Sequence, residues 1–285
     1  MKAAFGVIYL VPVPIGNLGD ITLRALEILK AADLIACEDT RKTAFLLSHY
    51  EIPIPKLISF HKFNERQREE TLFEHIETGH DLVVVSDAGS PGISDPSEKL
   101  VQMAIERGIK IFALPGASAL IPAITTTGMN AQQFQFLGFL PSEPAKRKRK
   151  LKEISLYPFP SVIYESPHRL LTCLNELLEY CGNRRIAISR EISKLHEEHV
   201  YGTLEDIIND EELTLKGEFA IVIQGSPEEE SSPEFSQLDI DFHIAKCLKA
   251  GMGTRESSME IASIFSLTKS AAYNTVIAYL KRLSS

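Results

Sequence analysis

The stretch Asp81-Leu-Val-Val-Val-Ser-Asp-Ala-Gly-Ser-Pro-Gly-Ile-Ser-Asp-Pro96 decides the fold class. Its apolar part shows no polar alternation, which suits a short strand covered on both faces, as in a parallel sheet. The Gly-, Ser- and Pro-rich residues 87–95 favour turns and resist continuing that strand. A helical pattern follows over 96–107, then a strand over 110–114, a turn at Pro115-Gly116 and a helix over 118–127. Upstream, the apolar run 8–14 ends in Pro14-Ile-Gly-Asn-Leu-Gly19. Asp20 reads as the N-cap of a helix reaching about residue 32, with Leu23, Leu26 and Leu29 on one face. Residues 34–37 and 56–60 are further short apolar runs, and 64–78 reads as a charged helix. This βα alternation predicts a mainly parallel sheet with helices on its faces. Such sheets bind ligands beyond the carboxyl ends of their strands. The turns at Gly16, Gly89–Gly92 and Pro115-Gly116 fall there.

The second half carries strand-like runs at 161–164, 185–189, 199–201 and 219–224, with helices over 167–180 and 204–209. The run Lys146-Arg-Lys-Arg-Lys150 reads as the link into this region. The Ser/Pro/Glu-rich stretch 226–237 reads as an acidic linker, and the rest as helical. The expected organisation is an α/β domain over 1–140, a second α/β domain over 141–225, the linker, and a small helical tail over 238–285.

The chain has 285 residues, 44% hydrophobic and 24% charged, which is ordinary globular composition with material for a real core. No apolar run approaches the roughly 20 residues of a membrane span. Pro12 and Pro14 break the first apolar stretch, which argues against a signal peptide and for a cytoplasmic location. Cys37, Cys173, Cys181 and Cys247 form no CxxC pair, which argues against a zinc site and fits reduced, buried thiols. A net charge of −8 argues against non-specific coating of nucleic acid. A local patch can still serve RNA: residues 138–169 hold seven Lys/Arg against three Glu.

Neither GxGxxG nor GxxxxGK[ST] occurs. Instead, seven segments follow in order: Val13-Pro-Ile-Gly-Asn-Leu-Gly-Asp-Ile-Thr-Leu-Arg24, Glu38-Asp-Thr-Arg41, Ser86–Pro96, Pro115-Gly-Ala-Ser118, Tyr164-Glu-Ser-Pro-His-Arg169, Ser189-Arg-Glu-Ile-Ser-Lys194 and Gly217-Glu-Phe219. Together they resemble the tetrapyrrole methylase superfamily, and within it the branch that methylates a cytidine 2′-hydroxyl in the decoding region of 16S ribosomal RNA. The resemblance covers roughly residues 7–225. Val13 departs from the family's common Thr, and Ser97 from its frequent Gly. Ser90 and Ser193 replace Thr and keep a hydroxyl.

The resemblance implies a two-domain α/β fold with S-adenosylmethionine in the cleft between the domains, a homodimer, and no metal. Carried over by motif, the donor contacts are Pro14, Asp87, Ser90, Ile93, Ala117, Ser118, Tyr164 and Ala220. Gly- and Pro-shaped turns suit this work because they let backbone groups approach a ligand closely. Asp87 either accepts hydrogen bonds from the donor or caps the turn that follows it. A ribose hydroxyl is a weak nucleophile, so a base helps; Glu38, Asp39 and Glu165 are the candidates, with Glu38 and Asp39 favoured, and a structural ion cluster of Glu38, Asp39 and Arg41 with Arg24 is the alternative. Arg24, Arg41, Lys146, Arg147, Lys148, Arg149, His168 and Arg169 are the expected RNA contacts within the small ribosomal subunit. A corrin or porphyrin C-methyltransferase and a non-catalytic nucleotide-binding protein are the rival readings.

Overall fold

A computed structural model describes residues 5–61, 64–93, 97–227, 237–265 and 267–283. The first part runs β1 (Ile8–Leu10), α1 (Leu23–Ala31), β2 (Leu34–Cys37), α2 (Thr40–His49), β3 (Lys56–Ser59), α3 (Glu65–Glu77), β4 (Leu82–Val85), α4 (Glu98–Glu106), β5 (Ile111–Ala113) and α5 (Leu120–Thr125). The strands form one sheet in the order β3-β2-β4-β1-β5, and every pairing is parallel. Strand β4 explains its own unbroken apolar run. Leu82 and Val84 pack with Leu72, Phe73 and Ile76 of α3 on one face, while Val83 and Val85 pack with Ala25, Leu29 and Leu47 on the other. With helices on both sides, a polar residue at any of the four positions would be buried.

Two local expectations are corrected. Asp20 does not cap α1; it closes a short 3-10 turn, and Thr22 caps the helix by accepting from Ala25 N at 3.1 Å. Leu23 is 81% exposed while Ala25 and Leu29 are buried, because steps of three residues lag a 3.6-residue turn and four-residue spacing keeps the face. Helix α2, which the sequence reading leaves unmarked, starts on Asp39 and buries Thr43 and Leu47 at the same spacing. The Ser94-Asp95-Pro96 end of the third motif lies outside the described residues, as does most of the 226–237 stretch.

The second sheet contains β6 (Gln135–Phe139), β7 (Ser161–Glu165), β8 (Arg185–Arg190), β9 (Glu198–Thr203) and β10 (Phe219–Ile223), with α6 (Pro144–Leu156), α7 (Leu170–Cys181) and α8 (Leu204–Ile208). Its order is β6-β7-β10-β8-β9; β6 and β7 are parallel and the rest antiparallel. Residues 135–139 fall before the expected boundary at 140 yet pair with β7. The 146–150 run lies within α6 rather than in a connecting link. Both sheets belong to one compact unit, Met1–Ser226. The other unit, Pro227–Ser285, has α9 (Gln237–Lys249), α10 (Thr254–Ile264) and α11 (Lys269–Leu283) around Ile244, Ile261, Phe265, Ala272 and Val276.

Candidate active site

The parallel strands of the first sheet deliver their carboxyl ends to one edge, and two neighbouring cavities open there. The first, about 490 Å³, is lined by Val13 and Pro14 after β1, Asp39 after β2, Ser86 and Asp87 after β4, and Arg41, Lys42, Thr43, Phe45 and Leu46 from α2. Asp87 organises it. One carboxylate oxygen accepts from Asp39 N at 3.0 Å and the other from Lys42 Nζ at 2.7 Å. Asp39 caps α2 and is gripped by Arg41: the backbone N at 2.9 Å and Nε at 3.0 Å on one oxygen, Nη2 at 2.7 Å on the other. Those hydrogen bonds hold the Asp39 carboxyl well below the usual carboxylate range. The hydrogen bond to Asp87 likewise holds the Lys42 ammonium above its ordinary value.

Glu38 is half-buried beside Asp39, and its carbonyl accepts from Ser59 Oγ at 3.2 Å; it is not among the residues lining either cavity. Arg24 is exposed on α1. The ion cluster that forms is therefore Arg41 with Asp39 and Lys42 with Asp87. Sequence reasoning missed Lys42 and Phe45. The signal available was helical: Phe45 stands four residues after Arg41, on the same side of α2.

The second cavity, about 400 Å³, lies between the two sheets. Ile15, Gly89, Ser90, Ile93 and Ser118 line it from the first, and Phe139, Tyr164, Ile192 and Ala220 from the second. Gly89 has φ +78° and exchanges backbone hydrogen bonds with Val13 at 3.0 and 2.9 Å, so the wall is bare backbone held in place. Ser90 Oγ donates to Ala117 O at 3.1 Å, tying the wall to the next turn. Tyr164 stands edge-on to Phe136 and Phe139, with ring centroids 5.0 and 5.8 Å away. The structure thus gathers Ser90, Ile93, Ser118, Tyr164 and Ala220 in one cavity, with Ala117 as their support. Pro14 and Asp87 line the neighbouring one. Residues 86–90 run continuously along both, so the two cavities share a wall.

The sequence profile of the tetrapyrrole (corrin/porphyrin) methylases matches residues 7–208, most of the chain. A protein of Halalkalibacterium halodurans named ribosomal RNA small subunit methyltransferase I is 39% identical over 272 residues, 94% of each chain. A Bacillus subtilis protein of the same name is 36% identical over 277 residues, covering 96% of this chain and 94% of the relative. This chain belongs to the tetrapyrrole methylase family. Solved structures share the fold at low identity. The methyltransferase CobJ aligns with TM-score 0.58 and 19% identity, over 77% of this chain and 94% of that one. Uroporphyrin-III C-methyl transferase from Thermus thermophilus, complexed with S-adenyl homocysteine, aligns with TM-score 0.53 and 18% identity, over 76% and 97%.

In this methylase the basic helix α6 splits by face. Lys146, Lys148 and Arg149 are exposed, as is His168 in the turn before α7. Arg147 is the correction to the expected RNA contacts, because it turns inward with its side chain 9% exposed. Its Nε donates to Glu176 at 2.7 Å, and Nη1 lies 3.6 Å from the fully buried Glu165 carboxylate. Burial works to lower the Arg147 pKa, but Glu176 and its neighbours leave it raised overall. Arg169 is half-buried, with Nε 3.5 Å from Glu165 and Nη2 donating to Leu140 O at 2.8 Å. Among the described residues, no helix is long and apolar enough to cross a membrane, and no group of three or more His, Cys, Asp or Glu is placed to hold a metal.

Proposed function

We propose that this methylase transfers a methyl group from S-adenosylmethionine to the 2′-hydroxyl of a cytidine in the decoding region of 16S ribosomal RNA, acting on the small ribosomal subunit. The observation that carries the reading is identity of 36–39%, across almost the whole of both chains, to proteins named ribosomal RNA small subunit methyltransferase I. The cavity between the sheets fits the donor in size and chemistry. It is mainly apolar, with hydroxyls and bare backbone placed along one wall, which suits an adenosine with a short polar chain.

A bound sulfonium supplies a methyl group already activated for in-line displacement. The protein's share is binding, orientation and exclusion of water. Gly89, Ser90, Ser118, Tyr164 and Ala220 hold the donor; Pro14 and Asp87 close the neighbouring side. Asp39, held by Arg41, borders the acceptor and orients the nucleotide that carries the hydroxyl. Its carboxyl, held well below the usual carboxylate range by Arg41, makes a poor base, so solvent takes the released proton. Arg24, Arg41, Lys146, Lys148, Arg149, His168 and Arg169 meet RNA, and the protein works in the cytoplasm as a homodimer.

The rival C-methylation of a tetrapyrrole draws on the description of the family as a whole and on structures under 20% identical, which carry the fold and nothing more, whereas the relatives at 36–39% identity bear the ribosomal RNA name. The test supplies labelled donor with isolated small subunits and maps the product. Alkali-resistant label at one cytidine is expected, because a 2′-O-methyl group blocks strand cleavage. Label on a corrin or porphyrin precursor, and none on ribosomal particles, would replace this reading with its rival.

A further inference from the structure

The first cavity has an edge that the donor site does not explain. Phe45 projects from α2 with 69% of its surface exposed, four residues after Arg41 and three after Lys42. Large apolar side chains can stand exposed singly without consequence. This one lines a 490 Å³ cavity beside two ion pairs, Arg41–Asp39 and Lys42–Asp87, both 2.7 Å long. Two cations and two carboxylates leave the rim close to neutral, so it does not suit a phosphate. It suits a neutral, planar ligand with donors and acceptors on one edge and a face that stacks.

We propose that this cavity is the seat of the acceptor nucleotide's base, with Phe45 as the stacking platform and the Asp39–Arg41 pair as the reader of a cytosine edge. Cytosine places an N4 amino donor beside the N3 and O2 acceptors; a carboxylate takes the first and a guanidinium gives to the others. Stacking on an exposed aromatic ring is how proteins hold a base splayed from single-stranded RNA. The location follows from the shared wall. Ser86 and Asp87 line this cavity while Ala88, Gly89 and Ser90 line the other, so a base seated on Phe45 holds its ribose at the border with the donor. This inference rests on the ribose-methylation reading for its substrate, and the geometry alone for its place.

The chain contains no tryptophan, so Phe45→Trp installs a single tryptophan at the platform, excited selectively over the eight tyrosines. The probes are hexacytidylate, hexaadenylate and S-adenosylmethionine, titrated separately. Saturable quenching by hexacytidylate is expected, at least several-fold tighter than by hexaadenylate, and weakened about tenfold when Arg41→Ala is added, in line with the loss of a base contact. With small subunits, Phe45→Ala and Phe45→Leu each raise KM about tenfold or more, as loss of one stacking contact requires, while Phe45→Tyr restores it. Donor affinity by calorimetry stays at the wild-type value in all three. No quenching by hexacytidylate, equal quenching by hexaadenylate, or quenching by the donor alone overturns the inference. If the reporter responds to hexacytidylate yet the wild-type protein methylates no ribosomal particle, the substrate reading falls and the base seat stands. If wild-type methylation is robust and Phe45→Leu is indistinguishable from it, the base seat falls alone.

Discussion

Replacing Arg147 by Met separates a buried structural cation from an RNA contact. The guanidinium is 9% exposed and sits between Glu176, at 2.7 Å, and Glu165, whose carboxylate is fully buried. Removing one partner of a buried pair typically costs about 3–5 kcal/mol, because the remaining charge stays desolvated. Here the lower end applies. Glu165 keeps the Ser166 N–H at 2.9 Å and Arg169 at 3.5 Å, and Glu176 is 29% exposed. A loss of about 3 kcal/mol corresponds to a fall in thermal midpoint of roughly 6–12 °C for a unit of this size. The assay is thermal and urea unfolding followed by circular dichroism, with Glu165→Gln and the double variant completing a cycle. Neutralising Glu165 removes the stranded charge, so the double variant is more stable than the sum of the single losses predicts. Lys148→Ala, on the exposed face of the same helix, leaves the midpoint unchanged and weakens binding to small subunits. A stability loss under about 1 kcal/mol for Arg147→Met, or strict additivity in the cycle, refutes the reasoning.

Gly116→Ala builds a Cβ 2.6 Å from Pro12 Cβ and 2.9 Å from its Cγ, a ring that cannot swing away. The strain costs about 1–3 kcal/mol, and displacement of the Ala117-Ser118 turn weakens the donor, measured by unfolding and calorimetry together. Asp87→Asn removes the charge that holds Lys42 and weakens acceptance from Asp39 N; donor affinity falls while the fold survives. The Lys42 pKa is raised by that hydrogen bond, so the pair's contribution is complete below the ordinary lysine value of about 10.4 and is lost as pH rises through the higher folded value. Donor affinity is therefore flat from neutral to mildly alkaline pH and falls only above it; a fall already at neutral pH contradicts the assignment.

The parallel sheet was legible because burial on both faces leaves a local mark. A run such as Leu82–Val85 has no polar face to alternate with, and Gly- and Pro-rich turns at the strand ends show where backbone must bend. Strand β6 was not legible. Gln135 and Gly138 interrupt its apolar pattern, and it becomes a strand by pairing with β7 across a bulge at Phe136/Gly138. Helix α2 was hidden because only two of its ten residues, Thr43 and Leu47, are buried, which is too narrow a stripe to see.

The sequence by itself determined the fold class, which depends on residue types at short spacings, and its ordered motifs carry the family resemblance that marks most of the residues lining the cavity between the sheets. The tertiary structure alone decided the fate of the charges. Lys146, Arg147, Lys148 and Arg149 are near equivalents in a string of letters, yet only Arg147 turns inward to carboxylates 18 and 29 positions away, the first of them fully buried. Asp87 finds Lys42, 45 positions before it, for the same reason. Whether a charged side chain faces water or a partner depends on which strands and helices pack beside it. That is a property of the assembled sheets, which spacing along the chain does not encode.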